Sequence, residues 1–368
     1  MKIEKVELRV LSMPLKAPFE TSFLRFAEKE CVFVTVYSDG VKGYCESVAF
    51  PSPHYNEETT ETVWHMLERF LIPNLLGKEL DRPEDVARLM APIRRNYMAI
   101  AALEGAVWDV YSKQQGISLA EALGGHKQEI DVGVSIGIEP TIDHVLRNVD
   151  KFLQEGYKRI KVKIKPGFDI ELIEAIRKRF GDDILLMADA NSAYTLEDID
   201  LLKRLDPYKL LMIEQPLAHD DIIDHAELQR QLETPICLDE SIHTVEDARK
   251  AIRLGSCKII NIKVGRVGGL THSRAIHDLC QEHGIPVWCG GMFETGVGRA
   301  HNIALTSLPN FTLPGDTSAS SRYWAQDIVE PGVEFIRPGT LAVPTGAGIG
   351  YEVNERTLDR FTLRKALF

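Results

Sequence analysis

Five charged residues recur along the second half of this chain at nearly one interval. Lys163, Asp189, Glu214, Asp239 and Lys263 stand 26, 25, 25 and 24 residues apart. Each lies at the end of a run with strand character (RIKVKIK, ILLMADAN, LLMIEQP, TPICLDES, KIINIKVG), and most of these runs are followed by a helical pattern such as DIELIEAIRKRF, LEDIDLLKRL, VEDARKAIRL or GGLTHSRAIHDLCQEHG. About 25 residues is the length of one strand–helix unit, so the repeat predicts parallel strands whose charged ends meet at one rim. DVGVSIG and IPVWCGG extend the series, with NFTLPG as a weaker eighth member. Eight such units fit a (β/α)8-type barrel or an open doubly wound sheet, and the even spacing favours the barrel.

The first part of the chain follows another grammar. VELRVLSMPL and VFVTVYSDG alternate as strands, with the polar stretch TSFLRFAEKE expected to separate them, and Asp39-Gly40 turns the chain into VKGYCESVAF. From Glu57 to about Gly125 the period is helical. Asn56 stands where it would cap NEETTETVWHMLERFLIPNLLG, and AIAALEGAVWDVYSKQQG reads as a strong helix. The expected division is an α+β domain over residues 1–128, a (β/α) barrel over 129–330, and a turn-rich segment, 331–368, that returns to the first domain. The Gly-rich GAGIGYE near residue 346 has no strand–turn–helix unit after it and reads as a loop, not a nucleotide site.

Charge and composition remove whole classes. The 368 residues carry a formal charge of −11, whereas a nucleic-acid binder needs a basic face. No apolar run approaches the ~20 residues that cross a bilayer, and MKIEKVELRV alternates like a first strand instead of carrying a signal-peptide core. Cys31, Cys45, Cys237, Cys257, Cys280 and Cys289 form no C-x-x-C pair and read as thiols of a cytoplasmic protein.

The chemistry follows from strand alternation. On RIKVKIK the residues Ile160, Val162 and Ile164 share one face, and Lys161, Lys163 and Lys165 the other. The outer face of a barrel strand must be apolar to meet the helices, so the lysines are expected to point inward. Buried lysines need anions, and Asp189, Glu214 and Asp239 on the next three strands supply them. Taken singly, each carboxylate could cap a following helix; three converging on one rim repel one another unless a counter-charge is present. All-oxygen ligands suit Mg²⁺ or Mn²⁺ better than zinc. Lys263 closes the row from the opposite side, with Asn261 on its own face. A divalent cation on a substrate carboxylate stabilises the enediolate formed when an α-proton leaves, and an amine with cationic neighbours can take that proton.

At this point the residues resemble a known family. KVKIKPGFD (161–169), MADAN (187–191), IEQP (213–216), LDES (238–241), NIKVGRVGG (261–269) and GGMFETGVGRAHN (290–302) occur in the order and spacing of the muconate-lactonising-enzyme subgroup of the enolase superfamily. The K-x-K-x-x-P-G-x-D form of the first motif is that of the o-succinylbenzoate synthase / N-succinylamino acid racemase family. The resemblance spans essentially the whole chain. It implies a modified (β/α)8 barrel with an α+β N-terminal domain capping its mouth. It also implies a metal held by Asp189, Glu214 and Asp239, with Asn191 beside it. Lys163 would be the base, assisted by Lys161, and Lys263 would serve the opposite face. The implied activity is a metal-dependent dehydration in menaquinone synthesis together with racemisation of N-acylamino acids. A small carboxylate is the expected substrate and a homo-oligomer the expected assembly, with no nucleic acid or membrane as partner.

The capping role makes PFETSFLRF and FPSPHY specificity loops, with Phe19, Phe23 and Tyr55 as candidates. Ser135 and Met292 face the same mouth. Arg266, three residues after Lys263, either tunes the charge of Lys263 or forms a surface ion pair. Alternatives within the superfamily are a dipeptide epimerase, disfavoured because LPGDTS offers Asp316 alone where Asp-x-Asp is typical, and a muconate-type cycloisomerase, which lacks the P-G-x-D extension. From another class, a Schiff-base aldolase would use a barrel lysine without needing three carboxylates, and a non-catalytic binding barrel would need none of the five.

Overall fold

The computed structural model describes residues 1–20 and 25–368. The cap sheet is formed by β1 (Lys5–Glu20), β2 (Arg25–Ser38) and β3 (Val41–Glu46), joined by the chain's last strand, Thr362–Leu367. Cys31–Val36 is buried without a break: helix Tyr97–Gln115 covers one face of the sheet, and helix Glu355–Phe361 meets the other, where Asp359 takes Arg9 and Glu355 takes Lys42. Gly43 permits that helix to approach: a Cβ there would stand 2.1 Å from the Ala106 carbonyl oxygen. The polar stretch expected to separate the first two strands does not do so along its length, since Arg25–Glu30 belongs to β2. Its polarity misled because Lys29 is buried and neutralised by Glu46 at 2.5 Å. The first helix starts at Thr60, not at Asn56. Thr59 and Thr62 form a reciprocal capping box, while Asn56 accepts the Glu58 N–H in the preceding turn.

A short strand, β4 (Glu129–Asp131), leads into the barrel, whose strands are β5 (Val134–Ile136), β6 (Ile160–Lys163), β7 (Leu186–Asp189), β8 (Ile213–Glu214), β9 (Ile236–Leu238), β10 (Ile259–Ile262) and β11 (Val287–Cys289). Strands β5 to β11 form one parallel sheet in sequence order. NFTLPG is not an eighth regular strand. It closes the ring by two parallel bridges, Phe311 to Val287 and Gly315 to Val132, and Gly133 N donates to Gly315 O at 2.7 Å. Gly315 has to be small there, for its Cβ would lie 2.8 Å from the Cys289 carbonyl oxygen. The architecture is a modified (β/α)8 barrel with an α+β cap.

After the barrel, β12 (Val329–Glu330) pairs β14 (Glu352–Val353), and β13 (Thr340–Ala342) pairs β4. The final strand β15 (Thr362–Leu367) runs antiparallel to β1 at the edge of the cap sheet, so the cap contains both ends of the chain. Cap and barrel are joined by buried carboxylates. Glu46 accepts from Thr295 N and Gly298 N at the start of helix Gly296–Thr306, and Glu104 accepts from Leu270 N and Thr271 N at the start of Leu270–Glu282. An anion at a helix N-terminus satisfies donors that have no partner inside the helix. Among the described residues, no helix is long and apolar enough to cross a membrane.

Candidate active site

Parallel register carries the charged ends to one level. Lys163 on β6 stands opposite Asp189 on β7, and Asp189 opposite Glu214 on β8; Asp239 and Lys263 follow β9 and β10 directly. Ile160, Val162 and Ile164 are buried on the helix side, so Lys161 and Lys163 face the interior. Lys165 does not join them. It is exposed, beyond the last residue of β6, where the wall no longer constrains it. Beneath the lysines the barrel is filled by Met187, Met212, Cys237, Ile259 and Trp288, an apolar floor that keeps water from below.

The charges are closely interlocked. Lys163 Nζ donates to Asp189 Oδ2 at 2.6 Å and to Asn191 Oδ1 at 2.5 Å. Lys161 Nζ lies 3.4 Å from Asp189, 3.2 Å from Glu214 and 2.8 Å from Asp316. Burial alone would pull Lys161 down, but the Asp316, Glu214 and Asp189 charges hold it well above the ordinary lysine range. On the far flank Lys263 Nζ donates to Asp239 Oδ2 and to the Tyr55 hydroxyl, both at 2.8 Å, and the Asp239 charge overcomes burial to raise it. Arg266 is not at the surface. It is 1% exposed, pairs with Asp239, and donates to Tyr55 Oη at 3.3 Å and to the Asn261 carbonyl at 2.7 Å.

Asp189, Glu214 and Asp239 are at most 1% exposed. Burial, and then the Asp189 charge, push the Glu214 carboxyl well above the usual carboxylate range. Burial and the Asp239 charge likewise push Glu240 up to about 7. Among the described residues no group of three or more His, Cys, Asp or Glu side chains is arranged around a common point for a metal ion, because the Asp189 and Asp239 carboxylates are turned to lysines. The donor chemistry nevertheless fits a hard divalent cation: three buried carboxylates, one of them, Glu214, raised by burial and an acidic neighbour, with no nitrogen or sulfur ligand among them.

These groups open on a cavity lined by Lys161, Lys163, Asp189, Asn191, Lys263 and Asp316 below. Above them the lining is largely aromatic and comes from both domains: Phe19, Phe50 and Tyr55 from the cap, Phe293 and Tyr323 from the barrel side. Phe293 sits at the centre of that lid, 5.1 Å from the Phe19 ring and 5.3 Å from the Tyr323 ring, with a left-handed backbone (φ 59°). Ser135 and Met292 also line the cavity, so the structure brings together the expected Phe19, Tyr55, Ser135 and Met292. Phe23 lies outside the described residues.

The roles of several lining or supporting groups escaped the sequence reading. Asp316 receives Arg159 at 2.7 Å as well as Lys161, and both cations stack on Trp288, at 5.1 and 5.0 Å from its ring. Arg159 stands two residues before Lys161 on the same alternating face, a signal that was present in the sequence. Asp316 stands on the irregular closing segment, where no periodicity could point to it.

Residues 5–124 match the mandelate racemase / muconate lactonizing enzyme N-terminal domain family, and residues 144–357 the enolase C-terminal domain-like family. The chain is 58% identical to an o-succinylbenzoate synthase of Geobacillus kaustophilus, covering 100% of this chain and 98% of the relative. It is 49% identical to an N-succinylamino acid racemase of Amycolatopsis, covering 99% of each. A crystal structure of an enolase-superfamily member from Listeria innocua superposes with a TM-score of 0.97 at 44% identity, covering 100% of this chain and 99% of that one. With the fold, the two family matches and full-length relatives in agreement, the chain belongs to the o-succinylbenzoate synthase / N-succinylamino acid racemase family of the enolase superfamily.

Proposed function

We propose that this enzyme is a divalent-metal-dependent o-succinylbenzoate synthase that also racemises N-succinylamino acids at the same site. The observation that carries the reading is the pairing of two lysines with opposite ends of one carboxylate row. Lys163 holds Asp189, Lys263 holds Asp239, and both amines open on the same cavity. Relatives bearing both names support it, at 58% and 49% identity.

Asp189, Glu214 and Asp239 would hold Mg²⁺ or Mn²⁺, which when bound draws charge from the substrate carboxylate and so acidifies the α-carbon. Lys163 removes the α-proton. Lys161 stays charged through Asp316 and offers positive potential to the enediolate as it develops. Lys263 acts from the opposite flank. In the dehydration Lys263 stabilises the enediolate as an ammonium, while the protonated Lys163 gives its proton to the departing hydroxyl, which leaves as water; in racemisation Lys263 returns a proton to the other face. Tyr55 fixes the Lys263 amine, and the aromatic lid excludes water, which strengthens each of these charges. Asp316 is engaged with Lys161 and Arg159, which removes the support for a dipeptide epimerase that would need a free carboxylate for a substrate amine. The setting this implies is a cytoplasmic homo-oligomer in menaquinone synthesis.

The test is turnover of purified protein with Mg²⁺ or Mn²⁺ on the hydroxycyclohexadiene carboxylate precursor and on N-succinylamino acids. Both activities are expected, and both should vanish on chelation and in Lys163→Ala. Turnover that survives chelation, or borohydride trapping of substrate on Lys163 or Lys263, overturns the reading. A dedicated racemase is the second reading, favoured by the 49% identical Amycolatopsis relative; it predicts racemisation without dehydration.

A further inference from the structure

Lys163 does not choose its own orientation. Its amine donates to Asn191 Oδ1 at 2.5 Å, and the other end of that amide donates from Nδ2 to Glu240 Oε1 at 3.0 Å. An amide has one accepting and one donating end. Reversing Asn191 would set its NH₂ against the ammonium and its oxygen against the carboxyl, and both contacts would become repulsive. The Glu240 acceptor therefore decides which end of Asn191 faces the lysine.

The surroundings hold this chain of bonds in place. Asn191 and the next residue, Ser192, both have left-handed backbones (φ 41° and 64°), a strained pair that persists only where neighbours over-determine it. Here Asn191 N donates to Asp189 Oδ1 and Ser192 N to the Gln215 carbonyl. Glu240 is 7% exposed. Its two chain neighbours, Asp239 and Ser241, both donate their N–H groups to Gln215 Oε1, at 3.0 and 3.3 Å, so the turn that carries Glu240 is clamped from within. Lys263 has a separate support, taking Tyr55 and Asp239 as its partners.

We propose that Glu240 is a positioning residue for one of the two lysines: through Asn191 it aims the Lys163 amine at the substrate face it serves, and leaves the aim of Lys263 untouched. The inference rests on the reading of Lys163 and Lys263 as acting on opposite faces. It divides the site into two independently supported halves.

The experiment is α-proton exchange of each enantiomer of an N-succinylamino acid in deuterium oxide, followed by NMR with Mg²⁺-loaded protein. Lys163→Ala first identifies the enantiomer served by that lysine. In Glu240→Met, which keeps length and removes the acceptor, exchange of that enantiomer is expected to fall about 10- to 100-fold while the other stays within a few-fold. The charge of Glu240 reaches Lys263, so Glu240→Gln separates charge from geometry: it restores the acceptor and should recover most of the lost rate. Mn²⁺ affinity should be equal in all three Glu240 forms. Equal loss for both enantiomers, no recovery with Gln, or weakened Mn²⁺ binding in Glu240→Met assigns Glu240 to folding or to the metal and overturns the proposal. Normal exchange in Glu240→Met, beside one-sided loss in Lys163→Ala, overturns it while leaving the base reading standing. Undiminished exchange of both enantiomers in Lys163→Ala overturns both.

Discussion

Two sets of buried charges meet in this molecule, at the seam between cap and barrel and at the barrel mouth, and they are satisfied by different kinds of partner. At the seam Glu46 accepts two backbone N–H groups at a helix start, the Thr295 hydroxyl and the Lys29 amine. Although burial opposes it, the Lys29 charge lowers its pKa. At the mouth Asp189, Glu214 and Asp239 take much of their pairing from side chains that the chemistry must have free, and Glu214 is raised well above its usual range. The same residue types thus serve two ends. A carboxylate satisfied by a paired lysine as well as by fixed backbone dipoles is finished and structural, whereas Glu104, held by backbone, hydroxyl and indole donors, is still raised by its burial; one crowded by its own kind is left wanting a cation. Burial alone does not tell them apart, since all are buried.

If that distinction holds, substitution at the mouth should cost rate, and at the seam stability. The largest effect is expected in Lys163→Ala, where loss of the base should lower kcat about 10²- to 10⁴-fold with little change in the melting of metal-loaded protein. Lys29→Met leaves Glu46 with an uncompensated buried charge and should cost about 3–5 kcal/mol in denaturant unfolding, while turnover per folded molecule stays near the starting value. A kcat loss in Lys29→Met as large as that of Lys163→Ala would erase the division. Metal provides the third test. Mg²⁺ at 100 times its dissociation constant should stabilise the protein by about 2.7 kcal/mol. Glu46→Gln should leave that increment intact, whereas Glu214→Gln should reduce it; equal increments in both would remove Glu214 from the cation site.

The sequence exposed the mouth more fully than the seam, for a physical reason. Lys163, Asp189, Glu214, Asp239 and Lys263 each end a strand of one repeating unit, so the length of the unit prints their convergence directly into the spacing. Strand alternation likewise turned Lys161 inward. The seam has no such period. Glu46 and Thr295 are 249 residues apart, and Lys29 lies in a stretch whose polarity hid a strand. Asp316 was noticed as a lone acid, but its pairing with Lys161 and Arg159 was not foreseen, because the eighth wall is an irregular segment held by two bridges. Glu240 was missed because what matters is which end of an amide it accepts from. Arg266 was noticed, but its burial follows from Asp239 and Tyr55 converging on it, which no local pattern shows.

The smallest effect comes from a carboxylate that obeys the seam's rule near the surface. Asp221 accepts the N–H groups of Ile223, Asp224 and His225, and its Oδ2 meets the His225 ring at 2.7 Å. Burial pushes its pKa up, but the His225 ring and the backbone donors outweigh it and hold it at about 2, below the ordinary 3.8. A carboxylate whose folded pKa is depressed contributes stability that is complete above its unfolded pKa and is lost as pH falls toward the folded one. The window is therefore about pH 4 to 2. Because the group is partly solvated, the contribution is discounted to about 1 kcal/mol. Asp221→Asn keeps an oxygen for the helix start but cannot titrate. It should cost about 1 kcal/mol at neutral pH, and the gap from the unsubstituted protein should close as pH falls from 4 to 2. Paired denaturant unfolding curves across that range measure the gap. One that stays constant would show that Asp221 acts by shape and not by charge.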